Sequence, residues 1–279
     1  MLINRLDNVD INLDDGHKYA LRDIAEGEDI IKYGNPIGHA TCDIKKGEHV
    51  HTHNVKTNLS GNLEYTYDPK FYDIPAEPTD RTFMGYVREN GDVGIRNEIW
   101  IINTVGCVNK IAKKLSELTG ARYFEHPFGC SQTGEDHAQT RKLLAALTRH
   151  PNAGAVLVLQ LGCENLTHEQ FVAELGDFVK DRIKFLTCQA VEDEYEAART
   201  ILEELAAYAG SFQREEIPAS ELVIGMKCGG SDGLSGITAN PTVGRFSDML
   251  VAQGGSTVLT EVPEMFGAEG FLMDRCVND

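Results

Sequence analysis

From Phe83 onward, short apolar runs alternate with helical patterns, and this alternation constrains the fold more than any other feature of the chain. Six runs have the length of strands, at 98–105, 121–125, 154–161, 183–187, 222–226 and 256–262. Helical patterns lie between them, at 108–118, 136–148, 168–175, 192–208 and 243–253. Strands that are apolar throughout are typical of a parallel sheet with helices on both faces. We therefore predict a Rossmann-like parallel α/β domain over residues 83–279.

Residues 1–65 show a different pattern, in which short β segments are separated by glycines about every ten residues. Asp23–Glu28 and Asp43–Glu48 share the form D-I-x-x-G-E, which indicates a weak internal duplication. This pattern predicts a small β-clip domain. Residues 66–82 contain three prolines and are predicted to be a linker, because proline joins sheets and helices poorly.

The net charge of −17 argues against nucleic acid or an anionic membrane as a general partner. A small acidic substrate stays possible, since a local cationic pocket or a metal ion can override the overall field. The sequence contains no apolar run of the ~20 residues that a spanning helix needs, and its acidic start does not resemble a secretion signal. We therefore expect a cytoplasmic protein, with homo-oligomerisation left open. Seven cysteines, an odd number, favour free thiols, metal ligands or catalytic groups over disulfides.

A glycine-rich loop follows the predicted strand 222–226 and brings polar side chains together before a helix. These side chains are Cys228, Ser231, Asp232, Ser235, Thr238 and Asn240. Glycines allow the backbone to approach a ligand closely, so we interpret the loop as part of a site. The alternative is an ordinary glycine-rich connector with a buried cysteine.

Several predicted strands end at a cysteine, namely Cys107, Cys163, Cys188 and Cys228, and Cys130 lies in the loop after another strand. Right-handed crossovers place the carboxyl ends of parallel strands on one edge of the sheet, where ligands bind. Thiolates there, with Glu164 beside Cys163, could hold a transition metal or an iron–sulfur cluster. A packing role for each cysteine is the alternative. A zinc ribbon is excluded, because the sequence contains no C-x-x-C.

The segment GEHVHTHN places His49, His51 and His53 at alternating positions. On a strand their side chains would share one face, where imidazoles can bind a divalent metal or a substrate carboxylate. A solvated strand face that happens to be rich in histidine is the alternative. His17 and Lys18 form a second polar group.

Lys32 and Tyr33 lie near the next predicted strand, and Lys18 and Arg96 are candidate carboxylate clamps, although single cations are usually only solvated. The sequence lacks G-x-G-x-x-G after the first strand of the large domain, and it lacks G-x-x-x-x-G-K-[ST] and G-x-S-x-G. Nucleotide-binding and serine-hydrolase interpretations therefore have no supporting motif.

Long joined segments of the chain resemble the altronate/galactarate dehydratase family. The segment GHKYALRDIAEGEDIIKYGNPIGHATCDIKKGEHVHTHNVKTNL is similar to the family's N-terminal SAF-type β-clip domain. The central domain is resembled by FMGYVRENGDVGIRN, HPFGC, HPNAGAVLVLQLGCE and MKCGGSDGLSGITANPTVGRFSDMLVAQGGSTVLTEVPE. HVHTHN favours the altronate branch. Family members continue into a further domain, so we expect this chain to be an N-terminal piece, truncated at its C-terminal end.

The resemblance implies a hydro-lyase that converts D-altronate to 2-dehydro-3-deoxy-D-gluconate in hexuronate catabolism. It also implies dependence on Fe(II), with Mn(II) or an iron–sulfur cluster as alternatives. Loss of the proton beside a carboxylate creates a dianion, which needs a metal or a cationic clamp, and the hydroxyl leaves with help from a general acid. Other possibilities are a dehydratase or sulfo-lyase for a related hydroxy acid such as galactarate, and an inactive sugar-acid-binding fragment.

The candidate residues fall into three groups, for catalysis, substrate binding and metal binding. The catalytic candidates are His17, Lys18, Tyr33 and Asp232. The substrate-binding candidates are Arg96, Ser231, Thr238 and Asn240. The metal candidates are His51, His53, Cys130, Cys163, Glu164 and Cys228.

Overall fold

The computed structural model describes residues 2, 4–58, 66–71, 80–230, 232–261 and 269–278. Contacts divide the chain into two units. The clip unit comprises Met1–Arg81 with Ala219–Asp279, and the sheet unit comprises Thr82–Pro218. The domain limits predicted from sequence (1–65, 66–82 and 83–279) stay predictions. Ser231 and residues 72–79 of the predicted linker lie outside the described residues.

Six short strands form the N-terminal part of the clip unit. They are β1 Val9–Ile11, β2 Lys18–Ala20, β3 Asp29–Lys32, β4 Asn35–Ala40, β5 His49–Val50 and β6 Val55–Lys56. The strands pair antiparallel in two three-stranded sheets, ordered β1-β2-β5 and β3-β4-β6. Their apolar side chains meet in one small core, which contains Val9, Ala20, Ile24, Ile30, Ala40, Ile44 and Val50.

The repeated D-I-x-x-G-E segments fold into two equivalent turns. The N–H of Ile24 donates to the carbonyl of Ile44 at 2.9 Å, and the N–H of Ile44 returns the bond to Ile24 at 2.8 Å. Gly27 and Gly47 have φ values of 81° and 87°, which glycine adopts without a steric penalty. The duplication predicted from sequence therefore has a structural counterpart in the clip.

The sheet unit alternates strands and helices, as the sequence predicts. Its elements are β7 Thr82–Val87, β8 Val93–Gly94, β9 Glu98–Asn103, α1 Asn109–Thr119, β10 Arg122–Phe124, α2 Gly134–Arg149, β11 Ala153–Gln160, α3 His168–Leu175, β12 Ile183–Thr187, α4 Glu194–Gly210 and β13 Glu215–Pro218. Four strands form a parallel sheet in the order β10-β9-β11-β12. A smaller antiparallel sheet, β13-β7-β8, was not predicted, because its short strands are not apolar throughout.

Helices pack on both faces of the parallel sheet. On one face, Ile101 and Leu157 pack against α1 and α4, and on the other, Ile102 and Val158 pack against α2 and α3. All eight residues of β11 are buried. A strand covered on both sides favours apolar residues on both faces, which explains the apolar run of residues 153–159. The buried Gln160 at the end of the strand is hydrogen-bonded to Nδ1 of His168 through its side-chain oxygen, at 3.0 Å.

The C-terminal elements of the clip unit are β14 Val223–Met226, α5 Ala239–Ala252, β15 Ser256–Leu259 and α6 Glu269–Met273. β14 and β15 pair in parallel and form a separate two-stranded sheet. The prediction of one parallel sheet that includes all six strands was therefore wrong, because an apolar run predicts a strand but not its neighbour. Within the described part of the chain, no helix has the length and apolarity needed to cross a bilayer.

Candidate functional site

The histidine-rich segment of the clip is a strand end followed by a turn. β5 stops at Val50, and the N–H of His51 then donates to Oδ1 of Asn54 at 3.0 Å. Nδ2 of Asn54 donates back to the carbonyl of His49 at 2.9 Å. The prediction of a continuous strand through His53 was wrong, because the Asn54 amide closes the backbone into a turn.

The turn nevertheless gathers four rings, which we call the imidazole cluster: His17, His49, His51 and His53. The ring of His49 is central, with its centroid 4.9 Å from that of His17, 5.6 Å from His51 and 5.4 Å from His53. The sequence predicts a catalytic role for His17 but not this contact, and His49 is not among the predicted site residues. Its alternation with His51 and His53 was the signal that could have included it.

The surroundings of His49 favour its neutral form by lowering its pKa. Burial lowers the pKa of His49, and the neighbouring imidazoles of His17, His53 and His51 lower it further, against the opposing charge of Asp15. Nε2 of His49 is buried and has no hydrogen-bond partner among the described residues. A neutral imidazole with an unpartnered nitrogen can accept a proton or bind a cation.

The imidazole cluster fits a metal in its chemistry but is not arranged around one. Among the residues that the structure describes, no three His, Cys, Asp or Glu side chains are placed to hold a single metal ion. Imidazole is a good ligand for divalent iron and manganese, and binding would satisfy the unpartnered Nε2 of His49. Side-chain rotation within the cluster would be needed first.

Two lysines lie close to each other in the clip. Burial lowers the pKa of Lys18, and the charge of Lys32 lowers it further. Burial also lowers the pKa of Lys32, while Asp7 and Asp232 oppose this effect. Two partly desolvated ammonium groups that lie close together favour the binding of an anion such as a carboxylate.

The glycine-rich loop contacts these residues within the clip unit. The carbonyl of Gly233 accepts hydrogen bonds from Nζ of Lys32 at 3.4 Å and from the hydroxyl of Tyr33 at 3.1 Å. A Cβ atom at Gly233 would clash with the carbonyl of Gly16, and one at Gly236 would stand 2.6 Å from the Tyr33 ring. Glycine at both positions therefore allows the close approach that the sequence suggested. Burial, Asp7 and Asp232 raise the pKa of Tyr33, so its hydroxyl stays protonated.

Asp232 begins a short helical turn in this loop. Its Oδ1 accepts the N–H of Leu234 at 2.6 Å and that of Ser235 at 2.9 Å. These hydrogen bonds, with a smaller effect from Lys32, lower the pKa of Asp232, and the carboxyl stays ionised. Thr238 donates its hydroxyl to the carbonyl of Leu234 at 3.0 Å, and Asn240 is exposed in the first turn of α5.

Cys228 and Arg96 lie away from the positions expected of them. Cys228 follows β14, which belongs to the separate two-stranded sheet, so it does not share the edge predicted for the other cysteines. Its N–H donates to Oε2 of Glu261 at 3.0 Å. Arg96 precedes β9, at the end opposite Cys107, and its guanidinium pairs with Glu98 at 3.3 Å. Their assigned roles stay predictions.

In the sheet unit, three exposed cysteines follow three neighbouring strands, and we call them the thiol edge: Cys107 after β9, Cys130 after β10 and Cys163 after β11. The thiols of Cys107 and Cys130 are within hydrogen-bonding reach. Partial desolvation raises the pKa of Cys130, and Cys107, Cys163 and Glu164 raise it further. Cys188, after β12, is different, because it is buried in the core and burial raises its pKa to about 11.

Glu164 is buried beside the thiol edge, and both of its oxygens are hydrogen-bonded. Oε1 accepts from the Thr104 hydroxyl at 2.7 Å and from the N–H of Leu161 at 3.1 Å, and Oε2 accepts from the N–H of Gly162 at 2.6 Å. Burial raises the pKa of Glu164, but these hydrogen bonds outweigh burial and lower it overall. The carboxylate therefore fixes the loops, and its role as a metal ligand stays a prediction.

Three family models match successive parts of the chain. Residues 3–58 match the altronate/galactarate dehydratase SAF domain. Residues 85–210 match the second domain of D-galactarate dehydratase/altronate hydrolase, and residues 219–279 match the C-terminal domain of D-galactarate/altronate dehydratase.

Three curated relatives match nearly the whole of this chain, and each is named as a sugar-acid dehydratase. The chain is 54% identical to an altronate dehydratase of Bacillus subtilis and 53% identical to one of Escherichia coli, each over 95% of this chain. It is 31% identical to the galactarate dehydratase (L-threo-forming) of Escherichia coli, also over 95% of this chain. The chain spans about half the length of these relatives, from 55% to 56%. By these matches, the chain belongs to the altronate/galactarate dehydratase family.

Proposed function

We propose that the protein dehydrates D-altronate to 2-dehydro-3-deoxy-D-gluconate as a metal-dependent hydro-lyase of the cytoplasm. The observation that carries this proposal is the 54% and 53% identity to two altronate dehydratases, against 31% to a galactarate dehydratase. Seven free cysteines support a reducing compartment. The strand order β10-β9-β11-β12, with helices on both faces, supports a Rossmann-like domain.

Lys32 is the best candidate in the clip to bind the substrate carboxylate, and Lys18 beside it is the best candidate to take the proton. When a proton leaves the carbon beside a carboxylate, the negative charge on the carboxylate oxygens rises, and fixed cations stabilise that charge more than they stabilise the ground state. Lys18 has a lowered pKa because of burial and of Lys32. The neutral form of Lys18 is therefore more accessible than that of an exposed lysine, and Lys18 can take the proton while Lys32 stays charged.

The leaving hydroxyl needs a proton, and His17 can supply it. Its ring is exposed, and it lies 4.9 Å from that of His49 and 6.3 Å from that of His51, measured between centroids. Histidine exchanges protons near neutral pH, and the neutral His49 beside it can take part in the return of that proton. Tyr33 and Asp232 would act by fixing the loop at Gly233 and Leu234, since both are engaged in its hydrogen bonds.

His51 and His53, with His49, are the residues of the clip that would hold a divalent ion, either Fe(II) or Mn(II). Such an ion, when bound, supplies a Lewis acid for the developing negative charge. Cys228, Ser231, Thr238, Asn240 and Arg96 stay candidates for contact with metal or sugar acid.

Dehydration of galactarate is the second candidate function. The 31% identity to a galactarate dehydratase and the family profile shared by both activities favour it over an unrelated reaction. The two functions differ in substrate, because galactarate carries a carboxylate at both ends. A third possibility is that this chain binds a sugar acid without turning it over.

The test is an anaerobic assay with Fe(II), run on this chain and on a version extended to the full length of its relatives. Formation of a 2-keto-3-deoxy acid from D-altronate and from galactarate is measured. We expect turnover of D-altronate, lost in Lys18→Met and His17→Gln and kept in His39→Gln, a histidine of β4 outside the imidazole cluster. Product from galactarate alone, or full activity in Lys18→Met and His17→Gln, would contradict the proposal.

A further inference from the structure

A groove of about 480 Å³ lies on the surface of the sheet unit, between α1 and α4. Its apolar lining comes from both helices and includes Leu115, Leu118, Leu202 and Ala206. Leu115 and Leu202 are buried in the core beneath the groove, whereas Leu118 is 63% exposed. The apolar stripe of α1 therefore continues beyond the core and reaches the surface, which is typical of a helix face that packs against a partner.

The α4 side of the groove holds an arginine in a fixed position. Arg199 donates from Nη2 to Oε1 of Glu196 at 2.7 Å and from Nη1 to Oε1 of Glu203 at 2.5 Å. Tyr195, one helical turn before Arg199, lines the same groove and is 37% exposed. Tyrosine and arginine are enriched among the residues that dominate binding energy, and a side chain that is already fixed loses less conformational entropy when it binds.

The exposed face of α1 beside the groove is basic. Lys110, Lys114 and Leu118 recur every four residues, so the two lysines lie on the same side of α1 as the exposed leucine. Lys113 is exposed as well, and neither it nor Lys110 forms an ion pair with a residue that the structure describes. Nζ of Lys114 lies 3.9 Å from Oε2 of Glu117. Three ammonium groups against one carboxylate leave this side of the groove positive.

The α4 side of the groove is acidic. Asp193, Glu196 and Glu203 line it, and Arg199 is the cation among them. Three carboxylates against one guanidinium leave a negative charge. This charge would repel a nucleic acid or an anionic membrane surface.

A face with a basic half and an acidic half complements a second copy of itself. Rotation by 180° about an axis normal to the face, between the two helices, places the basic half of each copy over the acidic half of the other. The same rotation brings the two exposed apolar stripes together near the axis. Complementary charge then surrounds an apolar centre, which is the usual anatomy of an interface.

We propose that the groove between α1 and α4 is the centre of a two-fold symmetric homodimer interface, in which Leu118 of each copy packs into the groove of the other. Specific interfaces of standard size involve about 20–30 residues a side, so the charged flanks of both helices form the rim. Dimerisation does not depend on the proposed dehydration, because the groove includes none of the residues proposed for that reaction.

The first test is the molecular mass of the full chain in solution. Sedimentation velocity over the micromolar range should show a species of twice the mass of one chain. Leu118→Lys places a charge in the apolar centre, and we expect it to raise the dissociation constant of the dimer by about tenfold or more. Leu143→Lys is the matched control, because Leu143 is 60% exposed on α2, outside the groove, and this variant should dimerise like the parent.

The second test uses charge reversal, which leaves the apolar centre intact. Lys114→Glu and Glu203→Lys should each raise the dissociation constant by about threefold or more, since like charges then face each other twice in the symmetric dimer. Combining both changes in one chain restores opposite charges across the axis and should recover most of the affinity. Circular dichroism checks that each variant is folded.

Three outcomes would overturn the inference. A chain that stays monomeric at every concentration would leave the groove to a different partner. A dimer of unchanged affinity in folded Leu118→Lys would place the interface elsewhere. A double charge variant that associates no better than the single ones would show that the two halves of the face do not meet.

Discussion

The imidazole cluster and the thiol edge are both groups of side chains of one chemical type, but the chain builds them in different ways. In the clip, three of the four imidazoles come from five consecutive residues, His49 to His53, and a turn gathers them. In the sheet unit, the thiols come from positions 107, 130 and 163, and three buried strands bring them together. A cluster of residues that are neighbours in sequence therefore depends on a turn, whereas a cluster of residues that are distant in sequence depends on the whole sheet.

The largest expected effect is on the free energy of unfolding, and it comes from a change in the backbone of the thiol edge. Gly129→Ala introduces a Cβ that clashes with the Thr104 carbonyl at a φ of 98°, so we expect a loss of about 2–4 kcal/mol in the free energy of unfolding of the sheet unit. Urea denaturation measures it. The control is Gly91→Ala, which has a φ of 86° but nothing within 4 Å of the added Cβ, and should cost only about 1 kcal/mol. Equal losses in the two variants would show that packing at Gly129 is unimportant.

The second largest effect is expected for Glu164→Gln, and its size shows whether the carboxylate stabilises the loops of the thiol edge. Glu164→Gln replaces an acceptor of three hydrogen bonds with a group that must donate at one end, so we expect a loss of about 1–3 kcal/mol at pH 7. The native pKa of Glu164 is lowered, so its contribution is present above the unfolded pKa of about 4.3 and is lost as the pH falls through the native value.

Urea denaturation at pH 7 and pH 4 measures both effects, and Glu117→Gln, at an exposed position on α1, is the control. If Glu164→Gln is as stable as the parent at pH 7, the carboxylate does not fix the loops.

The smallest effect concerns the imidazole cluster. There the fold favours the neutral form of His49, whereas at the thiol edge it favours the ionised form of Glu164. Because burial and neighbouring imidazoles lower the pKa of His49, the unfolded chain binds more protons than the folded one below the unfolded value of about 6.5. Stability should therefore rise with pH through the range just below 6.5. His49→Gln should reduce this rise, with a change in Tm of at most a few degrees.

Thermal melts between pH 5 and pH 7.5 measure the slope for the parent, for His49→Gln and for His39→Gln. The last variant should keep the parent's slope, because His39 pairs with Asn58 outside the cluster. If removal of His49 leaves the slope unchanged, the neutral imidazole is not held by the fold.

Much of the sheet unit could be predicted because its elements follow local rules. The predicted limits of β12 and α3 agree with those of the structure, and those of α1 and β11 differ by one residue at each end. Apolar runs and helical periodicity depend on which faces of an element are buried, and the sequence records that directly. The cysteines at strand ends could be placed for the same reason.

The neighbours of each element could not be predicted in this way. β14 is as apolar as a strand of the main sheet, yet it pairs with β15 alone among the described strands, and Cys228 leaves the predicted edge with it. His49 gained its central place because Asn54 closes a turn, and Asn54 carried no signal of its own in the histidine pattern.

The sequence by itself determined the kinds of elements, the order in which they occur and the residues that follow each strand. Only the tertiary structure decided which strands pair, which thiols meet and which imidazole is buried. The physical reason is that periodicity is a property of neighbouring residues, whereas pairing and burial are decided by groups far apart in the chain.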